Sequence, residues 1–264
     1  GSDDDDELDA NNPGGQLEGV ILAGNGGNTE FLISQERLQD IGPTTNIILQ
    51  ANRHIHIEAM DGGVLDLQTG NGNSVTFIAD YNNNNFEGGN FTMEDYTDTI
   101  RTQGGSVSIR GANVSVGNII TRSDTVGTSG GAISLEARYG SVNLYGDLTS
   151  TGNGTGNGGN ITLAGDVHLQ NSINLNASGM VNGDVLFTSN TEVVGENPLI
   201  DSSVDAANLR NEGLTITGRN VDFEGNIGSG TRVGDIQITA TGNVDITTRD
   251  VSEVITASHN INAH

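Results

Sequence analysis

One phrase recurs along this chain: a glycine pair or Gly-Asp, followed by apolar, polar, apolar. It stands at Gly105-Ser106-Val107-Ser108-Ile109, Gly131-Ala132-Ile133-Ser134-Leu135, Gly159-Asn160-Ile161-Thr162-Leu163, Gly183-Asp184-Val185-Leu186-Phe187 and Gly234-Asp235-Ile236-Gln237-Ile238. With Leu214 of Leu214-Thr215-Ile216 counted as a further copy, the first apolar residues are spaced 133−107 = 26, 161−133 = 28, 185−161 = 24, 214−185 = 29 and 236−214 = 22. A phrase that returns at roughly 22 to 29 residues marks a solenoid built from stacked copies of one small unit.

Apolar and polar residues alternate more than once within each unit. Val107/Ile109, Val114/Val116 and Ile119 form one set; Ile133/Leu135, Val142/Leu144 and Leu148 the next; Ile161/Leu163, Val167/Leu169 and Ile173/Leu175 a third. Alternation of period two is the signature of a half-buried strand, so each unit holds about three short strands. A lone strand cannot bury its apolar face, and the Gly and Asn between strands suit corners because they tolerate the left-handed backbone conformation. Three strands and three corners make one coil of a parallel β-helix.

The stretch before Gly104 has the same grammar with longer excursions: Ile47/Leu49, Ile55/Ile57, Leu65/Leu67, Val75/Phe77 and Phe91/Met93. Residues 34–40 depart from it and read as one short helix. Ser34 is its N-cap, and Gly42-Pro43 ends it. The fold class is therefore all-β, a β-solenoid of about nine or ten coils and roughly 45 Å long. Residues 1–16 read as an acidic, flexible tail, and residues 17–264 as one β-helix domain belonging to a longer repeat protein.

Charge removes whole classes of function. The chain of 264 residues has a net charge of −24, and its ten basic residues are all arginine. Binding to a phosphate backbone needs clustered cations, and an anionic membrane surface repels such a protein, which argues against nucleic acid and membrane partners. There is no cysteine, so disulfides, thiol catalysis and cysteine-type zinc sites are excluded. No apolar run approaches the length of a membrane span and no stretch reads as a signal peptide, and the chain reads as a fragment of something longer, with any targeting signal expected outside it.

Two stretches carry a resemblance: Phe31-Leu32-Ile33-Ser34-Gln35-Glu36-Arg37-Leu38-Gln39-Asp40, continuing through Thr45 to Ala51 and Ile55-His56-Ile57, and Thr99-Ile100-Arg101-Thr102-Gln103-Gly104-Gly105-Ser106-Val107-Ser108-Ile109. Together with the phrase from Gly158 to Leu163, they resemble the repeat region of very large filamentous-haemagglutinin-like exoproteins, particularly those of cyanobacteria. The resemblance covers the chain from about Gly24 onward and lies in its repeat grammar. It implies a right-handed parallel β-helix, secretion or surface display, and a role in adhesion or matrix building. It supplies no catalytic motif.

Candidate site residues are few. The run Asp3, Asp4, Asp5, Asp6, with Glu7 and Asp9, offers hard oxygens of the kind calcium takes, though blocks of like charge are ordinarily solvated tails. Calcium, magnesium or simply salt are the counterions such a chain would take, calcium being the ion this run could hold, and no cofactor is required. Tyr81, Asn82, Asn83, Asn84 and Asn85 lie in the least regular excursion of the repeat, and surface loops on rigid scaffolds are where contacts concentrate. His54 and His56 flank Ile55 and face solvent, with no third ligand evident. Asp61, Asp66, Glu94, Asp95 and Asp98 are the carboxylates that a glycan-cleaving β-helix would need to pair, but in so acidic a chain such neighbours arise by chance. Phe77, Phe91, Phe187 and Phe223 fall on inward positions, whereas Tyr81, Tyr96, Tyr139 and Tyr145 are candidates for exposure.

The sequence thus favours a non-catalytic structural or adhesive β-helix of a bacterial exoprotein, extracellular or at the cell surface. Its expected partners are copies of itself, the rest of a longer chain, and surface glycans or matrix. The alternatives are a glycan-active or glycan-binding β-helix protein and a calcium-dependent assembly module.

Overall fold

In a computed structural model, the residues described are 20–21, 33–81, 89–189, 203–206, 212–228, 231, 233–246 and 261–263. The acidic tail expected over residues 1–16 lies outside them. The structure is mostly β, and every pairing between its strands is parallel.

The strands form three ladders. The first runs through Val20–Ile21, Ile47–Gln50, Ser74–Ile78, Ser106–Gly111, the first halves of Ile133–Leu144 and Ile161–Leu169, Val185–Thr188, Val221–Phe223 and Val244–Ile246. The second begins at Ile55–Ile57, Phe91–Met93 and Val114–Val116. It continues through the second halves of the same two long strands to Ser203–Ala206 and Asn226–Ile227. The third is a separate sheet from Val64–Gly70 through Thr99–Gln103, Asn118–Ile120, Leu148–Thr149, Ile173–Asn176, Leu214–Gly218 and Ile236–Ala240 to Ile261–Ala263. From Ile47 to Ala240 the chain visits first, second and third ladder in fixed rotation. Each round adds one rung to each ladder, as the alternating patterns of the sequence require.

Register turns that alternation into columns. Ile47, Val75, Val107, Ile133, Ile161, Val185, Val221 and Val244 are successive partners in the first ladder. All are β-branched, the shape that packs well on a pleated surface. Two residues on, a column of larger side chains includes Phe77, Phe187 and Phe223. All three phenylalanines and Phe91 are fully buried, as their inward positions predict. Phe187 and Phe223 stack at 4.4 Å, and Phe77 meets Phe91 at 5.3 Å. One hydrophobic cluster from Leu38 to Ile238 draws on all three ladders, so the three faces share a core.

Two features of the recurring phrase come out differently. Leu214 pairs with Ile173 and Ile236, on the third ladder, whereas Val185 pairs with Val221 on the first. The last copies of the phrase thus belong to a different face, and the step from Val185 is 221−185 = 36 residues. The reason is that any corner followed by a strand with two inward residues writes the same local pattern. Gly104, which opens the first glycine pair, takes the left-handed conformation expected of a corner, with φ 92°, but the glycine directly before the strand serves a different purpose. Gly105, Gly131, Gly159 and Gly183 do not adopt positive φ; what they require is space. A Cβ on Gly105 would lie 2.7 Å from the Thr69 carbonyl oxygen, one on Gly159 2.5 Å from that of Gly131, and those on Gly131 and Gly183 would overlap the carbonyls of Gly105 and Gly159.

The helix spans Gln35–Gln39, with the Ser34 hydroxyl accepting from the Arg37 amide at 3.3 Å. It lies against the first strand of the third ladder: the side-chain amides of Gln35 and Gln39 donate to the Val64 carbonyl at 2.8 and 3.2 Å. The Gly70 amide donates to the Pro43 carbonyl at 2.9 Å. Leu38 and Ile41 are buried beneath it. Helix and turn therefore cover an edge where another strand would otherwise pair.

Candidate functional site

Tyr81 closes the corner that follows strand Ser74–Ile78. Its amide donates to the Ala51 carbonyl at 2.9 Å, and its side chain is exposed. Asp80 before it is buried, holds a left-handed backbone with φ 55°, and donates its amide to the Arg53 carbonyl at 2.9 Å. Asp and Asn adopt that conformation more readily than most residues. Gly89, where the described chain resumes, packs so close to Arg53 and Asp80 that a Cβ would overlap them. The base of the excursion is therefore pinned at both ends. Asn82, Asn83, Asn84 and Asn85 lie outside the described residues, as do Asp3, Asp4, Asp5 and Asp6.

Beside Tyr81 runs a charged strip along the same corner: Asp80, Arg110, Glu136 and Arg138. Burial and the neighbouring Arg138 pull the Arg110 guanidinium below its ordinary value, against the opposing influence of Glu136, Tyr81 and Asp80. Two positive and two negative groups make this strip close to neutral, in contrast to the acidic molecule around it.

The polar residues at the corners are occupied with the backbone. The side-chain oxygen of Asn46 accepts the Ser74 amide at 2.8 Å, Asn160 that of Asp184 at 2.9 Å, Asp184 that of Asn220 at 3.0 Å, and Asn220 that of Asn243 at 3.0 Å. A second such column joins His54 to the Asn90 amide at 3.1 Å, Asn90 to that of Asn113 at 3.2 Å, and Asn113 to that of Ser141 at 3.0 Å. Each bond ties one round to the next and gives a backbone amide at or beside a corner its acceptor.

The carboxylates considered for glycan chemistry have structural duties too. Asp98 accepts the Met60 amide at 2.7 Å, Glu94 the Ala59 amide at 3.1 Å, and Asp66 lies 3.9 Å from Arg101. Asp95 accepts both the hydroxyl and the amide of Thr97, at 2.7 and 2.8 Å, which hold it below the usual carboxylate range. His54 and His56 are exposed, as expected. Among the described residues no group of three or more His, Asp or Glu is placed to hold a metal ion, and no helix is long and apolar enough to cross a membrane.

One arrangement escaped the sequence. The rings of Tyr96 and Tyr145 stack with centroids 3.5 Å apart and planes 5° from parallel. They belong to corners two rounds apart, and the intervening corner carries Gly117, where a Cβ would lie 2.5 Å from the Tyr96 carbonyl oxygen. Gly117 thus lets the intervening corner pack directly against the backbone beneath the Tyr96 ring. Burial and the Tyr96 ring beside it raise the Tyr145 phenol above its ordinary value. The signal in the sequence is a short corner, Val116-Gly117-Asn118, between two corners that each hold a tyrosine; it becomes visible only once the register is known.

No protein-family model, curated protein or solved structure matches this chain.

Proposed function

We propose that the three ladders are the faces of a right-handed parallel β-helix, that residues 17–264 form one such domain, and that it acts as a non-catalytic structural and adhesive segment of a bacterial exoprotein displayed at the cell surface or secreted. The observation that carries this reading is the use of corner Asn and Asp side chains as coil-to-coil hydrogen-bond acceptors, the unbroken run from Asn160 through Asp184 and Asn220 to the Asn243 amide foremost. Side chains spent in this way join successive coils into a mechanically continuous unit. The resemblance in repeat grammar to filamentous-haemagglutinin-like exoproteins supports surface display.

Contacts to neutral surface glycans or to further copies of the chain would come from the outward Thr and Asn rows, each contact weak and repeated, so that multiplicity supplies the avidity. Two measurements on the purified protein test this. Sedimentation velocity, with and without calcium, is expected to show self-association, and labelled protein is expected to be retained on matrix polysaccharide. A dispersed monomer that no polysaccharide retains would end the adhesive reading.

A further inference from the structure

The chain has no cysteine, so no disulfide ties its coils together, yet one pair of side chains is placed for a different covalent tie. We propose that Tyr96 and Tyr145 are an oxidative modification site, where a one-electron oxidant joins the two rings as dityrosine and staples two coils across the one between them.

The geometry supports this in three ways. The rings are cofacial at 3.5 Å and within 5° of parallel, closer than most aromatic pairs, which sit with centroids 4.5–7 Å apart, offset or edge to face. The Tyr96 hydroxyl lies close enough to that of Tyr145 to raise the Tyr145 phenol above its ordinary value, so both rings point the same way. The ortho carbons beside each hydroxyl-bearing carbon then face their counterparts across the stack. Both tyrosines are part-exposed on corners, where a small oxidant reaches them and where a ring can turn out of the stack as the bond forms.

The chemistry balances with an external oxidant of the peroxidase and hydrogen peroxide class. Each phenol gives up one electron to the oxidant and its hydroxyl proton to water. The two phenoxyl radicals couple through one ortho carbon each, and each of those carbons then loses its hydrogen as a proton, which returns to the phenol oxygen through water. The net change is one new carbon–carbon bond and the loss of two hydrogens, whose electrons reduce the peroxide to water. Stacking favours the second oxidation at the partner ring, because coupling then needs no diffusion.

The test is dilute purified protein treated with peroxidase and hydrogen peroxide. The expected result is dityrosine fluorescence in the monomer band of a denaturing gel, one cross-linked peptide joining Tyr96 to Tyr145, and a higher melting temperature. Tyr145→Phe and, separately, Tyr96→Phe should abolish the signal while melting like the untreated protein. Tyr81→Phe and Tyr139→Phe, at a different corner, should retain it. No gain of fluorescence in the monomer, a bond mapped to another tyrosine, or cross-links only between chains would overturn the proposal.

Discussion

Gly159 shows how little room a corner of this molecule leaves: an added Cβ would lie 2.5 Å from the Gly131 carbonyl oxygen. Gly159→Ala is therefore expected to lower stability by about 1–3 kcal/mol through overpacking, read as a shift in the urea midpoint. Gly42→Ala, with nothing within 4 Å of its Cβ, should stay within about 0.5 kcal/mol of the parent. Equal effects would show that the glycines serve backbone freedom instead of close approach. Asp222 gives a prediction with the opposite sign. Its burial, with Asp245 and Glu224 beside it, raises its folded pKa above the ordinary carboxylate value. An acid with a raised folded pKa costs stability above that pKa, and the cost disappears below the unfolded value of about 3.9. Asp222→Asn should raise the urea midpoint at pH 7 and leave it unchanged near pH 3. Asp184 behaves conversely: the Arg219 hydrogen bond lowers its pKa, so it contributes stability above the ordinary carboxylate value and loses it as pH falls through the lowered one.

At the scale of elements, the five-residue helix is far too short to be stable alone, and what holds it is burial of Leu38 and the two glutamine bonds to Val64. Its position gives it a protective role. It occupies the edge of strand Val64–Gly70, where unpaired backbone would invite another chain. Leu38→Asp places a charge in that buried contact and should release the helix. The expected outcome is increased light scattering and larger species on sedimentation at unchanged strand content by circular dichroism. A variant that associates no more than the parent protein would show that the helix does not guard the edge.

For the whole molecule, stacked rounds imply that stability is a sum of nearest-neighbour terms, lowest where a round has one neighbour. The first inward column illustrates this: its members from Ile47 to Val221 are at most 1% exposed, while Val244 at its end is 37% exposed. Amide hydrogen exchange should be slowest in the long central strands Ile133–Leu144 and Ile161–Leu169 and fastest at Val244–Ile246. Uniform protection would mean that the chain unfolds as one cooperative block.

Strand positions and their inward faces were legible in the sequence alone, because alternation is local: Ile47/Leu49, Ile55/Ile57 and Leu65/Leu67 each announce a strand without reference to anything distant. The Ser34 cap and the Gly42-Pro43 stop were legible for the same reason, and so was the exposure of His54 and His56. Of the candidate contact loop, only Tyr81 falls among the described residues, and its exposure was read correctly. Register was not legible, since it is decided between residues some 20 to 40 positions apart whose local phrases are alike on every face. Only the tertiary structure placed Leu214 on the third ladder, explained the phrase glycines by the carbonyls beside them, and brought Tyr96 onto Tyr145 across Gly117. The sequence by itself determined which residues face inward; stacking decided which residue lies on which, because that depends on how many residues each corner inserts and on the space that neighbouring backbones leave.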